Sequence, residues 1–391
     1  EWYDYANKEW ANVVLGDATF ITSGNYEILD ESKQYSMLVW IPRYAYQITS
    51  EYHTATSNAG NINIVFVDTN NQNKTKTETY SETYPSYSTG SGMEDYVVHP
   101  AFNYGGTKLN GFWVGKYETS HTGCTTDVST GEASYTGNEI IQIKAGVTSW
   151  RNIQVSNIFT VCTELNKEGN PYKLNTNDSV VDPHMMKNSE WGAVAYLSQN
   201  TTYGKGEEVW INPNSNYITG QAGYSVSASA TETTNAYNTT NGQQASTTGN
   251  VTGIYDMSGG GIEYMAAYVN NGNSYLTTYG SMLIDAMDKY KDVYRAATSG
   301  ADEEQITNYN YTQPNSTTSN YGDAIWETSS DSSGTTSWYS DYSLFPHGYG
   351  PFLRRSGFYS DTSGAGLFYF TYNDGNVHNA RTFRLVIPVL Q

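Results

Sequence analysis

Six histidines, two cysteines and a scatter of carboxylates are the residues with which this 391-residue chain could do chemistry. The histidines are His53, His99, His121, His184, His347 and His378, and no two stand four apart as a helical metal pair would. His184, just ahead of a helix-like stretch, reads as a surface or capping residue. Cys124 and Cys162 make no C-x-x-C motif, so zinc is not expected; they either form one bridge or stay buried thiols. Asp256, Glu263, Asp323 and Glu327 are the acids on which a glycosidase pair would draw. There is no G-x-S-x-G elbow. Gly259-Gly260-Gly261 lacks the lysine and amphipathic helix of a phosphate loop and reads as a tight turn. Catalysis therefore has no motif behind it, and binding is the expectation.

Composition narrows the partners. A net charge of −19 and a pI near 4.6 exclude a nucleic-acid binder of the usual basic kind. The acidity serves solubility, or else divalent cations; no cofactor is required, and a structural Ca²⁺ is compatible with the many oxygen ligands. Tyrosine, at 36 residues against 11 Phe and 9 Trp, supplies flat apolar surface with a polar tip, which suits strands and binding faces. No apolar run is long enough to span a membrane, and no signal peptide is visible. The chain opens at Glu1 without an initiator Met, so a leader, anchor or assembly segment is expected to have been removed. A membrane would be reached only through such a segment. The hydroxyl- and Asn-rich, Lys-poor composition points to an extracellular, cell-surface or virion-surface location.

The elements follow from periodicity. Residues 1–34 read as a lead-in or linker anchored by Trp2, Tyr5 and Trp10, and 35–391 as one domain with insertions near 49–100 and 199–250. YSMLVWIPRYAYQI, 35–48, reads as a buried strand interrupted by Pro42. The low-complexity segment 75–92 reads as exposed, and NGFWVGKYETS, 110–120, as a second strand. Helices are expected over 149–166 and 183–198, the second with Asp182 as N-cap and Pro183 as first residue. Strands are expected in 253–269, 367–373 and 382–390, with 285–350 mostly loop.

Several of these segments carry a family likeness. GIYDMSGGGIEYMAAYV (253–269) resembles the GLYDMSGNVWEW signature of the formylglycine-generating-enzyme-like superfamily. FWVGKYETS (112–120), MMKNSEWGAVAYLSQ (185–199) and the closing GFYSDTSGAGLFYFTYNDGNVHNARTFRLVIP (357–388) resemble its other landmarks, in the same order. The resemblance implies a C-type-lectin-like fold of the α+β class: two helices packed on small twisted antiparallel sheets, with long loops and insertions. It also implies that Glu263 anchors the signature turn. Enzymes of that superfamily hold copper with two C-terminal cysteines or iron with a histidine triad, and neither set is present here. A metal-dependent enzyme of the same superfamily, or a glycan hydrolase, is therefore a minor alternative.

The C-terminal stretch 351–390 differs in composition from the rest. It contains no Lys, Glu, Gln, Met or Trp, yet it holds four of the seven arginines, Arg354, Arg355, Arg381 and Arg384. This is similar to the variable region of proteins diversified by retroelements, where adenine mutagenesis of Asn codons reaches nearly every residue except those five. The segments 352–354, 364–366 and 383–386 match its fixed frame. The expected ligand-binding residues are Phe358, Tyr359, Asp361, Tyr369, Thr371, Tyr372, Asn373, His378, Asn379 and Arg381. Trp338, Tyr339, Phe345 and His347 are expected to rim the same surface. Alternatively, 367–372 is only a core strand and 371–381 an ordinary turn. The leading expectation is a receptor or adhesin for a protein or glycan on another cell or host. The outer domain of a pilus or phage fibre is the structural alternative.

Overall fold

The computed structural model describes residues 3–16, 34–73, 75, 77–124, 135–172, 174, 181–295, 321–331, 336–346 and 348–390. Trp2, His347 and the 296–320 part of the expected loop 285–350 lie outside the described residues. The strands are β1 Asn12–Gly16, β2 Tyr35–Pro42, β3 Tyr44–Ile48, β4 Ile62–Phe66, β5 Val97–Val98, β6 Gly111–Gly115, β7 His184–Met185, β8 Ile262–Asn270, β9 Asp292–Arg295, β10 Phe352–Ser356, β11 Gly366–Asn373, β12 Arg381–Phe383 and β13 Leu385–Pro388. The α-helices are α1 Val155–Thr163, α2 Asn188–Gln199 and α3 Ser274–Ile284. Two-residue ladders and 3₁₀ turns complete a mixed α+β arrangement of small, mainly antiparallel sheets.

One sheet runs β1-β2-β6-β13-β7, antiparallel throughout. Its first strand comes from the expected lead-in, and Trp10 beside it is buried, with its indole N–H donating to the Tyr203 carbonyl at 2.7 Å. The strand expected over 35–48 divides at Arg43. Its buried guanidinium donates to Phe102 O at 2.9 Å and Asn71 Oδ1 at 2.7 Å. Pro42, which has no N–H for the ladder, ends β2, and β3 joins a different sheet, β4-β3-β5. The segment 75–92 is mostly exposed, as expected, but it lends one buried side chain, Tyr84.

The sheet that positions the C-terminal residues is β9-β8-β10-β11, with β12 pairing β8 in parallel. Along β8, Met265, Ala267 and Val269 enter one apolar core, while Tyr264, Ala266 and Tyr268 enter another. This alternation follows from the two-residue period of a strand, and it makes β8 the partition between the cores. The strand begins only at Ile262. The expected strand over 253–261 is instead irregular, turning at Gly259 and Gly260 with φ of +76° and +70°.

The helices differ from expectation at their starts. In the first expected helix, 149–154 is non-helical, and α1 buries Val155, Ile158, Phe159, Val161 and Cys162. In the second, Asp182 is not an N-cap and Pro183 is not helical. Asp182 instead accepts from Tyr290 Oη at 2.8 Å and Tyr104 Oη at 3.1 Å. His184 is fully buried and bonds Glu190 at 2.9 Å, so it is neither a surface nor a capping residue. Glu190 also accepts the Lys187 N–H at 2.8 Å, which closes the first turn of α2. All residues of α2 are buried, and a Cβ on Gly192 would lie 2.0 Å from the Gly322 carbonyl oxygen. Helix α3 was not expected. Its start is capped by Asn273, which accepts the Tyr275 N–H at 2.8 Å, and Leu276, Gly280 and Leu283 face inward. Cys124 and Cys162 are both thiols, and burial pushes the Cys162 pKa up. No helix among the described residues is long and apolar enough to cross a membrane.

Candidate functional site

Strand β11 carries two sets of side chains. Leu367, Phe368 and Phe370 join the core, while Tyr369, Thr371 and Asn373 line a pocket of about 520 Å³. Arg354 of β10 stands opposite Thr371 in the antiparallel register and lines the same pocket. The segment 341–344 forms a wall along the edge of β11. Leu344 N–H donates to Phe370 O at 2.8 Å, Phe370 N–H to Tyr342 O at 3.2 Å, and Tyr342 N–H to Gly364 O at 2.9 Å. These bonds present Tyr342 and Leu344 to the pocket, and Asp361 and Gly364 close it from the next turn. Backbone strain surrounds it: Tyr339, Ser340, Ser356 and Thr362 all have φ between +51° and +75°.

The aromatic rings have near neighbours. Tyr342 and Tyr369 have ring centroids 5.8 Å apart. Tyr372 lies against Gly350 so closely that a Cβ there would sit 2.0 Å from its ring. Burial raises the Tyr369 and Asp361 pKa values, and Arg354 opposes both shifts. Asp361 accepts the Phe358 N–H at 2.9 Å. Burial lowers the Arg354 pKa, and its Nε is buried without a hydrogen-bond partner among the described residues.

Of the ten residues singled out in the sequence, the pocket gathers Asp361, Tyr369, Thr371, Tyr372 and Asn373. Tyr369 and Thr371 are largely buried in its floor. Phe358 and Tyr359 have ring centroids 4.4 Å apart in a tilted pair and lean on Tyr217, which also carries Arg151 over its ring at 4.0 Å. His378 and Asn379 occupy the turn before β12, Arg381 is the first residue of that strand, and none of the three lines the pocket. His378 and Asn379 are exposed, and burial followed by the nearby Arg381 and Arg354 lowers the His378 pKa. Arg381 donates to Tyr264 Oη at 2.9 Å and pairs with Asp374 at 3.4 Å.

The expected rim needs correction. Trp338 and Phe345 are fully buried, packed on Phe368 and Tyr294 at 5.1 and 5.2 Å, because large rings beside a covered strand go to the core. Tyr339 is partly buried and donates to Gln199 Oε1 at 3.0 Å. Tyr342, Leu344, Arg354 and Gly364 belong to the pocket but were not among the expected ligand residues. The signal for the first two is alternation along 341–345, where the buried Asp341, Ser343 and Phe345 flank them.

The four candidate acids lie elsewhere, all buried. Asp256 accepts from Asn212 Nδ2 and the Gly220 N–H, both at 2.9 Å. Glu263 is paired with Arg384. Asp323 accepts from Tyr294 Oη at 2.7 Å, and burial pushes its pKa up to about 7. Glu327 accepts from three tyrosines, Tyr46, Tyr84 and Tyr196. Among the described residues, no group of three or more His, Cys, Asp or Glu side chains is placed to hold a metal ion.

No family model matches the chain, and no curated protein matches it. Among solved structures, Treponema denticola variable protein 1 is similar, with a TM-score of 0.30 and 12% identity over 72% of this chain and 85% of that one. A likeness of that size fixes neither the fold nor the function of this chain.

Proposed function

We propose that the chain is a ligand-binding protein of the receptor or adhesin type, with a C-type-lectin-like fold and a binding face built from its C-terminal strands. The observation that carries this reading is convergence. Asp361, Tyr369, Thr371, Tyr372 and Asn373, set apart by the composition of their segment, line one pocket of about 520 Å³, a size that suits a small ligand or a side-chain anchor. The partner is a protein or glycan of another cell or host, met outside the cell. Binding rather than turnover is the activity, and no cofactor takes part. The segment 351–391 is a retroelement-diversified surface, in which rigid strands carry changeable aromatic and small polar side chains.

Two measurements test the two levels of this reading. The chain and its Tyr372→Ala/Asn373→Ala variant are presented to an array of glycans and extracellular proteins. Binding partners lost in the variant support the pocket as the ligand face, whereas partners retained by it place that face elsewhere. Nucleotide sequencing of the locus tests diversification. An adenine-different second copy of the codons for 351–391 beside a reverse transcriptase supports it, and the absence of one removes it.

A further inference from the structure

We infer that Arg354 is the anchor for a carboxylate, and that the pocket takes an acidic sugar, such as a sialic or uronic acid at the end of a glycan. This rests on the reading of the pocket as the ligand face. The neighbouring arginines are already engaged. Arg355 donates to Asn188 Oδ1 at 2.7 Å, Ala324 O at 3.0 Å and Tyr369 O at 3.1 Å. Arg381 pairs with Asp374 at 3.4 Å and donates to Asn376 O at 3.2 Å. The Arg354 side chain, by contrast, lines the pocket with no hydrogen bond or ion pair to any described residue. Arg354 is partly buried, and its covered Nε has no partner; leaving that donor unmade is costly in the empty protein, and a bidentate carboxylate is the group whose geometry matches a guanidinium edge.

The rest of the pocket narrows the ligand. Asp361 shares the lining, and only its Oδ2 is engaged, by the Phe358 N–H. Its other oxygen is free to accept a hydroxyl or amide N–H. A doubly charged phosphate would be repelled there, and the side chains of an acidic peptide carry no donor for that acceptor. A sugar ring bearing one carboxylate and several hydroxyls satisfies both groups. Tyr342, Tyr369 and Tyr372 supply flat apolar faces for its C–H side.

The experiment is titration calorimetry of the full chain with 3′-sialyllactose and a glucuronic-acid-terminated disaccharide, beside their carboxyl methyl esters and an acidic hexapeptide. The expected result is binding of one or both acids, with their esters weaker by roughly tenfold or more. Arg354→Gln is expected to lose the same factor, and Arg354→Lys to lose part of it. A ligand-free control guards against a folding effect: Arg354→Met is expected to unfold at the same or a higher urea concentration than the parent, since it removes a partly buried charge whose covered Nε has no partner. A lower midpoint makes Arg354 a structural residue and overturns the proposal. Equal binding of acid and ester, or failure of both acids, also overturns it. Binding of the peptide but not the sugars overturns the sugar while leaving the pocket as a ligand face. If array partners also survive Tyr372→Ala/Asn373→Ala, the pocket reading falls as well.

Discussion

Arg384 grips Glu263 with two hydrogen bonds, Nη2 to Oε1 at 2.5 Å and Nε to Oε2 at 3.1 Å, and both side chains are fully buried. The same guanidinium donates to Gly115 O at 2.7 Å and Tyr255 O at 3.0 Å, so one side chain ties together β6, the turn before β8 and the last strands. Burial nevertheless raises the Glu263 pKa, and two more buried acids, Glu118 and Asp256, lie in the same electrostatic cluster. Arg384 is the cation that opposes the upward shift of all three.

Removing Arg384 should therefore cost more than an ordinary ion pair. Arg384→Met is expected to destabilise the fold by about 3–5 kcal/mol, because it leaves buried carboxyls without a counter-charge. Glu263→Gln keeps the shape and one acceptor but leaves the guanidinium unpaired, and is expected to cost about 2–4 kcal/mol. Urea unfolding of each variant reads these values. A loss below about 1 kcal/mol for Arg384→Met would show that the cluster relaxes by taking up protons or water.

A buried histidine sets the acid limit. His99 donates from Nε2 to Gly322 O at 2.7 Å and accepts the Ala101 N–H at Nδ1, so its neutral form fits the site. Burial pushes its pKa down to about 3 from an ordinary 6.5. The folded state thus binds the proton less readily than the unfolded chain. The stability from His99 is present above pH 6.5 and is lost as pH falls toward 3, by roughly 4–5 kcal/mol at most. Asp323 has the opposite sign. Its pKa is raised to about 7 from 3.8, so its contribution is present below that ordinary value and is lost as pH rises through about 7. Unfolding free energies measured between pH 4 and 8 should show the acid slope flatten in His99→Gln and the neutral-range slope flatten in Asp323→Asn.

Some of this was legible in the sequence, and the reason varies by element. The alternation of 367–373 and the missing residue types in 351–390 pointed to the segments that make the pocket floor. Helix α3 was hidden because Tyr275, Thr277, Thr278 and Tyr279 favour strands, and only Asn273 and the Leu276–Leu283 spacing signal a helix. The start of α2 was misplaced because Asp182 and Pro183 are good local starters. Long-range partners, Tyr104 and Tyr290, claim Asp182, and no local pattern reveals them. Arg354 and Arg355 are adjacent and identical in type, yet one is tied into the core and the other faces the pocket. Strand alternation allows that split, but only the fold says which is which.

Tyr84 shows the same limit and leads to a third prediction. It comes from the mostly exposed segment 75–92, yet its hydroxyl bonds Glu327 at 2.5 Å, beside Tyr46 and Tyr196 at 2.7 Å each. Burial raises the Glu327 pKa, and the three phenol hydrogen bonds oppose that shift. Tyr84→Phe is expected to cost about 1.5–3 kcal/mol, the range for a hydrogen bond to a charged group. The triple Tyr→Phe variant should cost less than the sum, because Glu327 would then take up a proton. Denaturant midpoints across the series check both statements.

A last prediction separates the shape of the pocket from its stability. Gly350 is required by proximity: an added Cβ would sit 2.0 Å from Cδ2 of the Tyr372 ring. Tyr372 is only partly buried, so its ring can swing away rather than force the backbone apart. Gly350→Ala is therefore expected to change the thermal midpoint little, with a loss below about 1.5 kcal/mol. The displaced ring would nonetheless withdraw one wall of the pocket, and any partner that depends on Tyr372 should bind roughly tenfold more weakly, since an aromatic contact contributes about 1–2 kcal/mol at such a site. Thermal unfolding and binding measured on the same preparation test the split. A large fall in the midpoint would mean that the ring is locked into the core; an unchanged affinity would mean that Tyr372 does not touch the ligand.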